Sequence, residues 1–124
     1  MSVRVLVVDD DPDQVVVRCM LLSHHGFETR RASDPDAAMK AAREDVPEIV
    51  VVDLGLPTER DGLRLISELK AAYPAVDIVV LTGSSIQRLK SKPELEDVAD
   101  MVQKGSSSKA LLGILSRIAA ARES

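Results

Sequence analysis

The stretch VLVVDDDPD, Val5 to Asp13, sets four apolar residues directly against three consecutive aspartates. Its apolar half has the β-branched composition of a strand buried on both faces of a parallel sheet. Its acidic half opens as a helix does, with Asp11 as N-cap and Pro12 at the first helical position. A strand that turns into a helix through a knot of acids is the start of an alternating β/α chain, and the alternation continues to the end of the sequence.

The first apolar run reaches back to Val3, and others follow at Phe27 to Ala32, Ile49 to Val52, Ile78 to Leu81 and Met101 to Val102. Helix-length segments separate them. Gly26 closes the first helix after Leu22, and Asp34 with Pro35 repeats the cap signal before an alanine-rich helix running to about Arg43. Leu63, Ile66, Leu69 and Lys70 place an apolar edge on a third helix, from about Gly62 to Ala72. Ser107 is positioned to cap the last helix, where Leu111, Leu112, Leu115 and Ile118 recur at helical spacing. Pro93 falls inside SSIQRLKSKPELEDVA, Ser84 to Ala99, so the fourth helix should be short or irregular. The economical architecture is a doubly wound α/β fold, a five-stranded parallel sheet with helices on both faces. It is expected to form one domain over residues 1–124.

Composition removes several function classes. The 16 basic and 20 acidic side chains give a net charge of −4, and the cations are scattered, so direct nucleic-acid binding is not expected. Phe27 and Tyr73 are the only aromatics, which leaves no platform for stacking bases. Cys19 is the only cysteine. It lies among Val15, Val16, Val17, Met20 and Leu22, so no internal disulfide is available and a buried thiol in a reducing, cytoplasmic compartment is expected. Neither a leader-like segment nor an apolar run of membrane-spanning length is visible, and no membrane association is expected. Adjacent His24 and His25 read as surface residues at a helix end, and Arg30 and Arg31 as alternating faces of a strand.

In an open parallel sheet, ligands bind beyond the carboxyl ends of the strands, where strand order reverses. Those ends carry Asp9 and Asp10, then Asp53, then Thr82, then Lys104. Three converging carboxylates raise one another's pKa unless a cation neutralises them. Hard oxygen ligands favour a hard ion, magnesium (or manganese), where phosphate is handled. One carboxylate can then attack phosphorus, with Lys104 and Thr82 near the phosphoryl oxygens. Each residue also has a plainer reading. Asp11 reads as a cap only, Asp53 before Gly55 and Pro57 serves equally as a turn residue, Thr82 precedes Gly83 in a turn, and a lone lysine is usually solvated. The coincidence of acids, hydroxyl and ammonium at the ends of four strands favours the shared site.

These residues resemble the receiver domain of bacterial two-component response regulators, along the whole chain. The resemblance is carried by VLVVDDDP, IVVVDLGLP, DGLRLI, IVVLTG and Lys104. It implies a flavodoxin-like, CheY-like fold with strand order 2-1-3-4-5. It also implies that Asp53 is the phosphoacceptor, served by a sensor histidine kinase or phosphotransfer protein, and that Asp9, Asp10, Asp53 and the Gly55 carbonyl hold the ion, with Asp10 the more direct ligand. Thr82 and Lys104 would bind phosphoryl oxygens, and an unknown downstream protein would read the result. The chain is expected to be a monomer or weak homodimer and no enzyme beyond its own phosphotransfer and dephosphorylation.

Departures from the family pattern bear on signal transmission. Met101 stands where Tyr or Phe is usual at the switch position. Gly105 replaces a proline that follows a cis bond, and a cis bond without proline costs about 3 kcal/mol, so a trans Lys104–Gly105 peptide is expected. PTERDG looks one residue longer than the usual connection, and Pro93 disturbs the fourth helix. Ser84 lies where the family tunes the phosphoryl lifetime. The principal alternative is a phosphorylation-independent interaction module (a pseudo-receiver), which Met101, Gly105 and Pro93 favour and the complete set of acids disfavours. A magnesium-dependent phosphohydrolase is a remoter one, because no substrate pocket is evident.

Overall fold

In the computed structural model, which describes residues 2–105 and 108–123, strands and helices alternate throughout. The order is β1 (Arg4–Val8), α1 (Pro12–His24), β2 (Glu28–Ala32), α2 (Pro35–Glu44), β3 (Ile49–Asp53), α3 (Glu59–Ala72), β4 (Asp77–Thr82), α4 (Ile86–Leu89), a 3-10 turn (Pro93–Leu95), β5 (Asp100–Gln103) and α5 (Ser108–Glu123). All strand pairings are parallel, in the order β2-β1-β3-β4-β5.

The three inner strands β1, β3 and β4 are apolar almost throughout because both of their faces are covered. Alternation along each strand sends successive side chains to opposite faces. Leu6, Val8, Val50, Val52, Ile78 and Val80 pack with α2, α3, Leu89 and Leu95. Val5, Val7, Ile49, Val51, Val79 and Leu81 pack with α1 and α5. The edge strand β2 exposes Arg30 and Arg31, with Arg30 held by the Ala41 carbonyl at 3.3 Å.

The helix starts follow the local chemistry. Asp11 accepts from Asp13 and Gln14 N–H and Asp34 from Ala37 N–H, each just before a proline. After α1 the chain turns at Gly26 with φ of +90°, a backbone region that suits glycine. The third helix begins at Glu59 rather than near Gly62, because Thr58 caps it by accepting from Asp61 N–H at 3.3 Å. Around Pro93 the expected irregularity is present: α4 is a single turn, followed by a bend and the 3-10 turn, pinned by buried Leu89 and Leu95. β5 extends one residue beyond the Met101–Val102 core at each end. Ser107, read as the last helix's cap, lies outside the described residues.

Cys19 is half-buried rather than buried, since it sits on the flank of α1. Burial, the largest influence, pushes its thiol pKa up, opposed by a hydrogen bond with Thr29 and by the charge of Arg31. His24 and His25 are exposed at the end of α1 as expected, although their rings do meet edge-on, with centroids 5.4 Å apart. Among the described residues the one cis peptide is Leu56–Pro57, which the sequence did not announce. Lys104–Gly105 is trans, and Gly105 adopts φ of +95°, a value closed to the proline ring, which fixes φ near about −65°. Glycine here therefore gives the chain a path that the family's proline could not follow.

Gly62 matters for a different reason. A Cβ on it would lie 2.2 Å from the Leu54 carbonyl oxygen and 2.9 Å from the Leu54 carbonyl carbon, so α3 can approach the end of β3 only without a side chain. Because the obstacle is backbone, Gly62→Ala should cost at least about 2 kcal/mol. Urea unfolding of the variant checks this, and an unchanged midpoint would contradict the packing described.

Candidate functional site

The carboxyl end of the sheet gathers the acids because β1 and β3 are neighbours. Asp9 follows β1 directly, and its N–H donates to the Ala32 carbonyl at 3.1 Å, prolonging the ladder to β2. Asp53 is the last residue of β3, and beyond it Leu54 N–H donates to the Leu81 carbonyl at 2.8 Å. Carboxylate oxygens of Asp9, Asp10 and Asp53 all lie within 4.8 Å of one another. Asp9 and Asp53 are buried, at 1% and 3% exposure, while Asp10 is exposed.

Two cations face the buried acids. Lys104 Nζ donates to Asp53 Oδ2 at 2.7 Å, and Gly55 N–H donates to Asp53 Oδ1 at 3.1 Å. Arg18, on α1, donates to Asp9 Oδ2, and Asp11 N–H donates to Asp9 Oδ1 at 3.0 Å. Both oxygens of each buried carboxylate thus have a donor, which buried charge requires. Among the described residues Asp10 has no such donor, and its exposed carboxylate is left to solvent or a cation. Asp11 is turned to the helix and acts as a cap, as its position before Pro12 implied.

Thr82 ends β4 and is buried. Its Oγ1 accepts from Ser84 N–H at 3.0 Å, and its carbonyl accepts from Lys104 N–H at 2.6 Å. That backbone bond ties the lysine segment, whose side chain reaches Asp53, to the threonine strand. Met101, on β5, is half-buried and packs against the cluster containing Leu89 and Leu95. It lies away from the acids, on the face covered by α2, α3 and α4.

The structure therefore brings together Asp9, Asp10, Asp53 and Lys104, with Thr82 beside the lysine on the adjoining strand end. Arg18 was not anticipated. Nothing local marks it, because its contact with Asp9 depends on how α1 folds back over β1. An acid triad of this kind fits a hard divalent cation, since its donors are all oxygen and its open member, Asp10, faces solvent.

A family model described as the response regulator receiver domain matches residues 5–116. The probable transcriptional regulatory protein TcrX of Mycobacterium tuberculosis is 36% identical over 81 residues, covering 65% of this chain and 34% of TcrX. The transcriptional regulatory protein PrrA of the same organism is 37% identical over 84 residues, covering 68% of this chain and 36% of PrrA. The chain thus spans about a third of the length of these relatives. Among solved structures, the receiver domain of NtrX from Brucella abortus superposes with a TM-score of 0.82 at 30% identity, over 92% of this chain and 96% of that one. A response regulator from Burkholderia pseudomallei, solved with a phosphorylated aspartic acid, a calcium ion and citrate, gives 0.80 at 27% identity, over 98% of this chain and 72% of that one.

The contacts at Asp53 differ in weight from those on the surface. Lys104→Met would leave a buried carboxylate with only a backbone donor and should cost about 1 kcal/mol, after allowance for the lysine's partial exposure. Arg64→Met, which breaks the exposed Arg64–Glu68 pair at 3.2 Å, should cost less than about 0.5 kcal/mol. Chemical denaturation of both variants without divalent ions checks the ranking, and equal losses would contradict it.

Proposed function

From the premise that this chain belongs to the response regulator receiver domain family, we propose that Asp53 is its phosphoacceptor, charged by a sensor histidine kinase or phosphotransfer protein. The observation that carries this reading is the pairing of a buried carboxylate at the end of β3 with a lysine 2.7 Å away, inside a triad of acids. Asp9, Asp10, Asp53 and the backbone carbonyl of Gly55 would hold a magnesium or manganese ion. When bound, that ion supplies positive charge that offsets the repulsion between the acids and an incoming phosphoryl group.

The chain's own residues account for the remaining steps. An Asp53 carboxylate oxygen forms a bond to phosphorus as the N–P bond of the donor phosphohistidine breaks, and the departing imidazole takes up a proton. Lys104 then exchanges its carboxylate contact for a phosphoryl oxygen. The Thr82 hydroxyl, which in this structure accepts from Ser84 N–H, turns its own proton toward another phosphoryl oxygen. Water attack on phosphorus later returns free Asp53, so the chain catalyses chemistry only on itself. Phosphorylation changes the charge between β3, β4 and β5, and the half-buried, unbranched Met101 repacks where an aromatic would rotate. A downstream protein reads that change. Residues 1–124 would act as a single receiver unit, whether alone or joined to an output segment.

The test is the intact mass after incubation with acetyl phosphate, with and without magnesium, for the wild type and Asp53→Asn. One magnesium-dependent phosphoryl addition, lost in the variant, is expected. No addition to folded protein by an active donor would favour the phosphorylation-independent interaction module instead.

A further inference from the structure

The three carboxylates at the strand ends are not equivalent, and the residue that distinguishes them has no part in the phosphotransfer described above. Arg18 sits on α1, its side chain only 16% exposed, and its guanidinium ends on Asp9 Oδ2. The other Asp9 oxygen accepts from Asp11 N–H. Each Asp9 oxygen therefore already has a protein donor before any ion arrives, whereas Asp10 is open to solvent.

We propose that Arg18 is a resident counter-ion of the acidic triad, holding Asp9 when the ion is absent and setting the site's affinity for magnesium by competing for the same carboxylate. The proposal rests on the reading of Asp9, Asp10 and Asp53 as a cation site. The guanidinium charge is a constant part of the site. Without it, among the described residues, the centre would hold three acids against Lys104 alone. With it, two acids are balanced and one, Asp10, is left to receive the incoming ion first. A divalent ion must then displace the guanidinium from Asp9 Oδ2 or share the carboxylate with it. Either outcome places like charges close together and weakens binding. The same contact lets the fold form without an ion, because buried Asp9 is never left uncompensated.

Magnesium titration by calorimetry, with manganese followed by electron paramagnetic resonance, compares the wild type with Arg18→Gln and Arg18→Lys. Glutamine keeps an N–H donor for Asp9 but removes the charge, and lysine keeps the charge. Arg18→Gln should bind magnesium about tenfold more tightly than the wild type, and Arg18→Lys should stay within about threefold of it. In a chelator the thermal midpoint of Arg18→Gln should fall, and saturating magnesium should close the gap. In the wild type itself, the Arg18 guanidinium NMR resonances should move with the same magnesium midpoint as backbone amides 9 and 10. Equal or weaker magnesium affinity in Arg18→Gln, or guanidinium resonances that do not move while the ion binds, would overturn the role of Arg18 and leave the cation site standing. No binding of either metal to any of the three proteins would overturn the cation site, and the role of Arg18 with it.

Discussion

Repulsion among three carboxylates confined within 4.8 Å of one another is the constraint on which the rest of the site depends. Two of them, Asp9 and Asp53, are buried, where desolvation adds to the repulsion. The fold meets this with fixed positive charge from two directions, Arg18 from α1 and Lys104 from the end of β5. Arg18 reaches Asp9 only once α1 has folded back over β1, and Lys104 reaches Asp53 from 51 residues away, so the full balance exists only when the sheet and α1 have assembled.

The sheet order explains why the acids meet at all. Placing β3 beside β1 rather than beside β2 sets Asp53 next to Asp9 at the point where the connections diverge to opposite faces. Two backbone bonds then carry the strand pairing past the last strand residues, from Leu54 to Leu81 and from Lys104 to Thr82. Gly62 lets α3 press against Leu54, which fixes the loop that follows Asp53. Positioning of the site is therefore a property of the core and of short loops, while the surface beyond β4 is built differently. There a one-turn α4 and a 3-10 turn hang on Leu89 and Leu95, and Met101 packs beneath them. Short helical turns leave this region with less regular hydrogen-bonded structure than the rest of the fold.

Much of this was legible in the residues because the signals were local. β-branched runs gave the strands, Asp11 and Asp34 before proline gave two helix starts, and Pro93 foretold the broken fourth helix. The acids could be brought to one site because a parallel α/β sheet aligns its carboxyl ends by construction. The start of α3 was readable too, since Thr58 stands three residues before Asp61 in the manner of a capping box, but the apolar periodicity drew attention to Gly62 instead. Cys19 looked buried from its apolar neighbours, yet half of that stretch lies on the outer side of α1: Val17 and Met20 are 58% and 67% exposed. Arg18 had no local signal, because its partner lies nine residues back, in the connection that follows β1. The cis bond at Leu56–Pro57 was equally silent, as most bonds before proline are trans.

On the proposed function one aspartate, Asp53, accepts the phosphoryl group while its neighbours serve it. Borohydride reduction after loading with acetyl phosphate and magnesium converts an acyl-phosphate aspartate to homoserine, which peptide mass mapping then locates. Conversion at Asp53 alone is predicted. Conversion at Asp9, Asp10 or Asp11, or at no residue of a folded chain with an active donor, would rule out Asp53 as the acceptor.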